Sequence, residues 1–166
     1  MQVAMKTQKH ILTMLVENKP GVTARVSGLF AGRGYNIETI CGAPTANPEM
    51  SRITITTETD QEQLEQIMKQ VRRLINVRKV RDMTGAKAVK REMALICVTA
   101  TAENRLEINR IVDTFRGRVV DTGQTHYIIE ISGRQQKIEA FLNLLAPMGI
   151  KKVARSGILA LYREPG

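Results

Sequence analysis

Two hydrophobic periods alternate along this sequence, and they do so in the same order twice. In the first half HILTMLVE (His10–Glu17) is a short apolar run rich in strand formers, ended by a Pro-Gly turn. Val22, Val26, Leu29 and Phe30 then share one helical face. RGYN closes that helix, with Gly34 placed to take the left-handed conformation that glycine adopts cheaply. NIETICGAP reads as a second strand. SRITITTE (Ser51–Glu58) alternates Ile53 and Ile55 with Arg52, Thr54 and Thr56, as a third strand with one buried face does. Asp60 suits an N-cap for a helix whose stripe is Leu64, Ile67, Met68, Val71, Leu74 and Ile75. NVRKVRDM supplies a fourth strand, and the order is βαββαβ.

After the polar stretch TGAKAVKR (Thr84–Arg91) the order begins again. EMALICVTA is a strand, and Ile108, Ile111, Val112 and Phe115 mark a helix face. GRVVDTG and THYIIEISG form a hairpin pair meeting near Gly123. Ile138, Phe141, Leu142 and Leu145 mark the next helix, ended by PMG, and IKKVARSGILALYRE is read as one last strand. The fold class is therefore α+β, with two ferredoxin-like βαββαβ sandwiches in tandem. The expected division is a first domain over residues 1–83, a linker over 84–91 and a second domain over 92–166. Cores of this size are thin, so each domain is expected to pack against the other or against a second chain.

Composition narrows the functional classes. The 166 residues are 43% hydrophobic and 25% charged, a globular balance, while aromatics reach only 4% with no Trp. The cores must be aliphatic. A net charge of +9 raises nucleic acid as a partner, but the excess is spread evenly over both halves. An RNA-recognition module shares the βαββαβ order and stacks bases on strand aromatics; SRITITTE has none, and Phe30, Phe115 and Phe141 fall on helix faces. Cys41, Cys97, His10 and His126 are isolated, so neither a metal site nor a disulfide framework is expected, and Cys97 reads as a small buried residue. GRGYNI lacks the third glycine of a dinucleotide loop and follows a helix. No P-loop, nucleophile elbow or zinc motif occurs, and Glu62, Glu65, Glu103 and Glu107 read as solvated helix surface. The opening MQVAMKTQK has no apolar signal core, and MALICV is far too short to span a bilayer. A non-catalytic cytoplasmic protein is expected, bound to neither membrane nor nucleic acid.

The turn NKPG admits two readings. In the bland one it only joins strand to helix. In the other, Pro20 fixes φ and Gly21 allows close approach to the backbone. The first N–H groups of the helix at Val22 have no intrahelical partner and, with the helix dipole, can hold a carboxylate. Asn18 can take an ammonium or cap the helix.

The run ILTMLVENKPGVTARVSGLFAGRGYNIETI, followed by APT (Ala43–Thr45), SRITI, FRGRVVD (Phe115–Asp121) and VARSG (Val153–Gly157), resembles the regulatory, or small, subunit family of acetolactate synthase over nearly the whole chain. The first half resembles an ACT domain, an amino-acid-binding module. The resemblance implies a regulatory subunit with no activity or cofactor of its own. It implies activation of a separate catalytic subunit carrying thiamin diphosphate, magnesium and FAD, and feedback inhibition by valine. It further implies a homodimer that holds valine between two ACT domains. Asn18, Gly21 and the backbone at Val22 would come from one chain, and Asn36 and Ile37 from the other. Thr23 stands where many members have Leu, and Ala24 where some have Ser; both adjoin the loop and bear on the strength and selectivity of inhibition. A stand-alone amino-acid sensor and a tandem RNA-binding module are the competing classes.

Overall fold

In the computed structural model of the chain, residues 7–164 are described. Most of the opening segment in which no signal core was found therefore lies outside the described residues. The first part of the chain forms β1 (Gln8–Glu17), α1 (Val22–Ala31), β2 (Thr39–Pro44), β3 (Met50–Thr59), α2 (Gln61–Val71) and β4 (Val77–Asp82). Their antiparallel sheet has the order β2-β3-β1-β4, so the two most apolar strands are central. Alternation decides what each face buries. Leu12, Met14, Val16, Ile53, Ile55 and Val80 meet Val22, Val26 and Phe30 of α1 and Leu64, Ile67 and Val71 of α2 in one core.

Local signals act as their chemistry requires. The end of α1 is a Schellman closure: Tyr35 N–H donates to Phe30 O (3.0 Å), Gly34 N–H to Ala31 O (3.1 Å), and Gly34 has φ 71°. Asp60 caps α2 in a capping box with Gln63, whose N–H donates to Asp60 Oδ1 at 2.8 Å. Two expectations need correction here. Helix α2 stops at Val71, so the helical period does not extend to Ile75, which is 83% exposed. Nor does β3 bury one face only: Thr54 and Thr56, on the face opposite Ile53 and Ile55, are buried as well, because β3 is an interior strand with small residues on that second face.

The later part forms β5 (Ala88–Thr99), α3 (Arg105–Thr114), β6 (Arg118–Thr122), β7 (His126–Gly133), α4 (Gln135–Leu145), a 3₁₀ turn (Ala146–Met148), β8 (Ile150–Arg155) and β9 (Leu159–Tyr162). Its antiparallel sheet, β6-β7-β5-β8, repeats the layout of the first. Ile96, Val98, Ile129 and Ile131 pack against Ile108, Val112, Ile138, Phe141 and Leu145. Cys97 is only half-buried, since it alternates with the inward Ile96 and Val98 and lies on the other face of β5. Within this unit Arg155, from the VARSG stretch, donates through Nε and Nη2 to both oxygens of Glu92 (2.8 Å each) and through Nη1 to Glu139 (2.7 Å). Glu92 is 1% exposed, so Arg155 is the counter-ion that makes its burial tolerable.

The final stretch is two strands rather than one. Gly157 takes φ 76° and ends β8, and the chain from Ile158 clusters with the first unit. Ile158 and Ala160 there bury against Ile11 and Met83, and Arg163 N–H donates to Lys87 O (2.9 Å). The compact units are thus the chain up to Val89 with the residues from Ile158 onward, and Lys90–Gly157. This differs from a division at 83 and 92. The stretch read as a linker already enters β5 at Ala88, and the apolar Ile158 and Ala160 find their core in the first unit.

Candidate functional site

The site begins where β1 runs out. Gly21 is the N-cap of α1 with φ 80° and ψ −6°, the left-handed region that costs other residues roughly 1–2 kcal/mol. An added Cβ would meet nothing within 4 Å, so glycine is required here by dihedral and not by packing. Arg25 N–H makes the first regular helical bond to Gly21 O (3.0 Å), and Val22 N–H reaches Lys19 O only at 3.4 Å. The N–H groups of Thr23 and Ala24 have no acceptor among the described residues, and the first turn holds no acidic side chain. Two backbone donors and an uncompensated dipole end therefore sit together beside Gly21.

Asn18 does not cap this helix. Its N–H donates to Glu49 O (2.7 Å) and its Nδ2 to Pro48 O (2.9 Å), which pins the β1–α1 turn to the turn before β3. With Nδ2 so engaged, its Oδ1 stays available as an acceptor. Val22 is 4% exposed: its side chain belongs to the core and only its backbone can serve the site.

A polar frame that sequence reasoning missed holds the turn. Glu17 accepts from Asn76 Nδ2 (2.8 Å) and Lys19 Nζ (3.0 Å) and pairs with Arg78. Arg25 Nη1 donates to Asn76 Oδ1 (2.7 Å), which ties α1 into the same network. The Asn76 hydrogen bond, followed by Lys19, holds the Glu17 carboxyl at about 2, well below its ordinary value. Asn76 stands 59 positions from Glu17, a separation no local signal reports.

Asn36 and Ile37 are not brought to this turn within one chain. Asn36 O accepts from Thr57 Oγ1 (2.6 Å), and Ile37 packs half-buried on the first core. Asn18 is tied beside Met50 at one end of β3 and Asn36 beside Thr57 at the other, a span of roughly 23 Å along the strand. The outer edge of β2, which Asn36 and Ile37 lead into, pairs with no strand among the described residues, and Ile40 on it is 41% exposed. Glu62, Glu65, Glu103 and Glu107 are exposed, and no three metal-ligating side chains group together among the described residues. No described helix is long and apolar enough to cross a membrane.

The antiparallel βαββαβ sheet, whose first strand runs through a glycine turn into an uncapped helix, is an ACT-type domain: a family model described as "AHAS small subunit-like ACT domain" matches residues 12–79. A second, described as "Small subunit of acetolactate synthase", matches residues 91–164. A probable acetolactate synthase small subunit of Archaeoglobus fulgidus is 44% identical over 93% of this chain and 97% of its own length. The acetolactate synthase small subunit of Aquifex aeolicus is 46% identical over 96% of this chain and 83% of its own. The crystal structure of the acetolactate synthase small subunit from Thermotoga maritima superposes with a TM-score of 0.87 at 41% identity, covering 96% of this chain and 99% of that one. The chain belongs to the family of acetolactate synthase small subunits, the regulatory components of that enzyme.

Proposed function

We propose that this chain activates the catalytic subunit of acetolactate synthase in the cytoplasm and makes that activity sensitive to valine. The observation that carries the valine reading is the left-handed Gly21 beside the free Thr23 and Ala24 N–H groups and the Asn18 amide. Backbone donors at a positive helix end suit the carboxylate of a free amino acid. Asn18 Oδ1 and nearby backbone carbonyls suit its ammonium. In this reading Asn36 and Ile37 complete the pocket from a second copy, because within one chain they lie at the opposite end of β3. The open edge of β2 and the exposed Ile40 offer the contact for that copy.

Thiamin diphosphate, magnesium and FAD belong to the catalytic subunit in this account, so the work of this chain is conformational. The dimer favours an active arrangement of catalytic subunits, and valine favours a less active one, which requires that valine bind the two arrangements unequally. A coupling of about 1–3 kcal/mol gives roughly 5–150-fold modulation. The test is to mix the purified chain with its catalytic subunit and follow acetolactate formation with and without valine. Activation that valine reverses supports the proposal. A chain that binds valine and never activates a catalytic subunit is a stand-alone sensor, and the proposal fails.

A further inference from the structure

We propose a second ligand site, for a small multivalent oxyanion, on the face of the first sheet that α1 and α2 do not cover. Alternation turns Leu12, Met14, Val16, Ile53, Ile55 and Val80 toward the helices, so Thr13, Leu15, Arg52, Lys79 and Arg81 occupy the other face. The register sets them side by side. Leu15 stands opposite both Arg52 and Lys79, and Thr13 stands opposite both Thr54 and Arg81. Arg52 and Lys79 are thus two strand spacings apart, roughly 10 Å, and Lys79 and Arg81 two residues apart, roughly 7 Å.

These three cations line a cavity of about 390 Å³, within the size range of small-molecule sites. Tyr162 and Leu161 of β9 form part of its wall, and Glu164 is the one carboxylate among the lining residues. None of the three cations pairs with a carboxylate among the described residues; Arg81 instead rests 4.9 Å from the centre of the Tyr162 ring. Like charges on one sheet face repel. Thr13 supplies an independent sign: it is 4% exposed, it lines the cavity, and its Oγ1 has no hydrogen-bond partner among the described residues. A buried hydroxyl without a partner is unfavourable. An oxyanion seated between Arg52, Lys79 and Arg81 relieves both conditions, accepting from the Thr13 hydroxyl and from the cations. Two or more negative charges match three cations better than the single carboxylate of a free amino acid does, which separates this site from the turn at Gly21.

Calorimetric titration of the full chain with pyrophosphate, and separately with citrate, at constant ionic strength tests the assignment. One anion per chain is expected, and the tighter of the two tells whether phosphate or carboxylate oxygens are preferred. Arg52→Gln and Lys79→Gln should each weaken binding about tenfold or more, as loss of a charge-assisted hydrogen bond does. Thr13→Val should weaken it without removing charge. Gly21→Asp, which addresses the turn, should leave the anion affinity unchanged. A control with Arg110→Gln and Lys152→Gln, two exposed cations of the second unit, should do the same. Circular dichroism confirms that each variant is folded. The proposal is overturned if neither anion binds saturably, if the control pair loses as much affinity as Arg52→Gln, or if Gly21→Asp abolishes binding.

Discussion

Gly21 shows how one dihedral angle changes the meaning of a substitution. At φ 80° any side chain bears a backbone cost, yet the space around the position is open, and Asp and Asn are the residues that tolerate this region best. Gly21→Asp and Gly21→Asn should therefore both fold, with similar losses of about 1–2 kcal/mol in urea unfolding. They should differ at the effector. The Asp carboxylate repels an amino-acid carboxylate, and loss of one charge-assisted hydrogen bond alone weakens valine binding roughly 10–150-fold. Equal valine affinity in Gly21→Asp and the parent chain would remove the turn as the effector site. Glu17 gives a second residue-level expectation. Its carboxyl is held at about 2 against an ordinary 4.5, so the stability it contributes is fully present above that ordinary value and is lost as pH falls toward 2. Thermal melts from pH 5 down to pH 2 should show a steeper loss in the parent than in Glu17→Gln, and parallel curves would mean the network does not stabilise the fold.

At the scale of elements, ends and partners matter more than propensity. The capping box of α2 satisfies donors at an exposed helix start, and losing such a cap costs about 1 kcal/mol. The Arg155 fork in the second unit does something harder, because Glu92 is buried and would otherwise be an uncompensated charge. Breaking a buried pair from one side costs about 3–5 kcal/mol, with the lower end expected here since Arg155 remains partly exposed. Arg155→Met should consequently destabilise the chain more than Asp60→Ala does in chemical unfolding. The reverse ranking would show that water or another cation rescues Glu92. This pair also gives the VARSG stretch a structural role.

For the whole molecule, the separation of Asn18 from Asn36 along β3 turns the effector question into one of assembly. If valine is held by the turn of one copy and the Asn36–Ile37 segment of another, binding requires a dimer and must tighten it in return. Sedimentation at low micromolar concentration should show a dimer whose dissociation constant falls as valine is added. A monomer that still binds valine stoichiometrically would place the entire effector site within one chain. Replacing Ile40 on the open β2 edge by Lys should weaken the same dimer, since a charged edge opposes strand-to-strand pairing.

The sequence by itself determined the element order as far as β8, the helix stripes apart from Ile75, the closure of α1 at Gly34 and the Asp60 cap. Each of these is written in contacts between residues a few positions apart, where periodicity and side-chain chemistry act directly. It also marked Asn18 and Gly21, because an Asn-Lys-Pro-Gly turn before an apolar stripe is a local signal. Only the tertiary structure decided that Asn18 bonds Pro48 instead of capping α1, that Glu17 reaches Asn76, and that Ile75 escapes the core where α2 stops short. It likewise decided that the strand read as continuous breaks at Gly157, and that Ile158 and Ala160 bury with Ile11 and Met83. The physical reason is common to all of them. A partner tens of residues away is chosen by which strands lie adjacent in the sheet and which face is left to cover, and neither is encoded in the spacing of neighbouring residues.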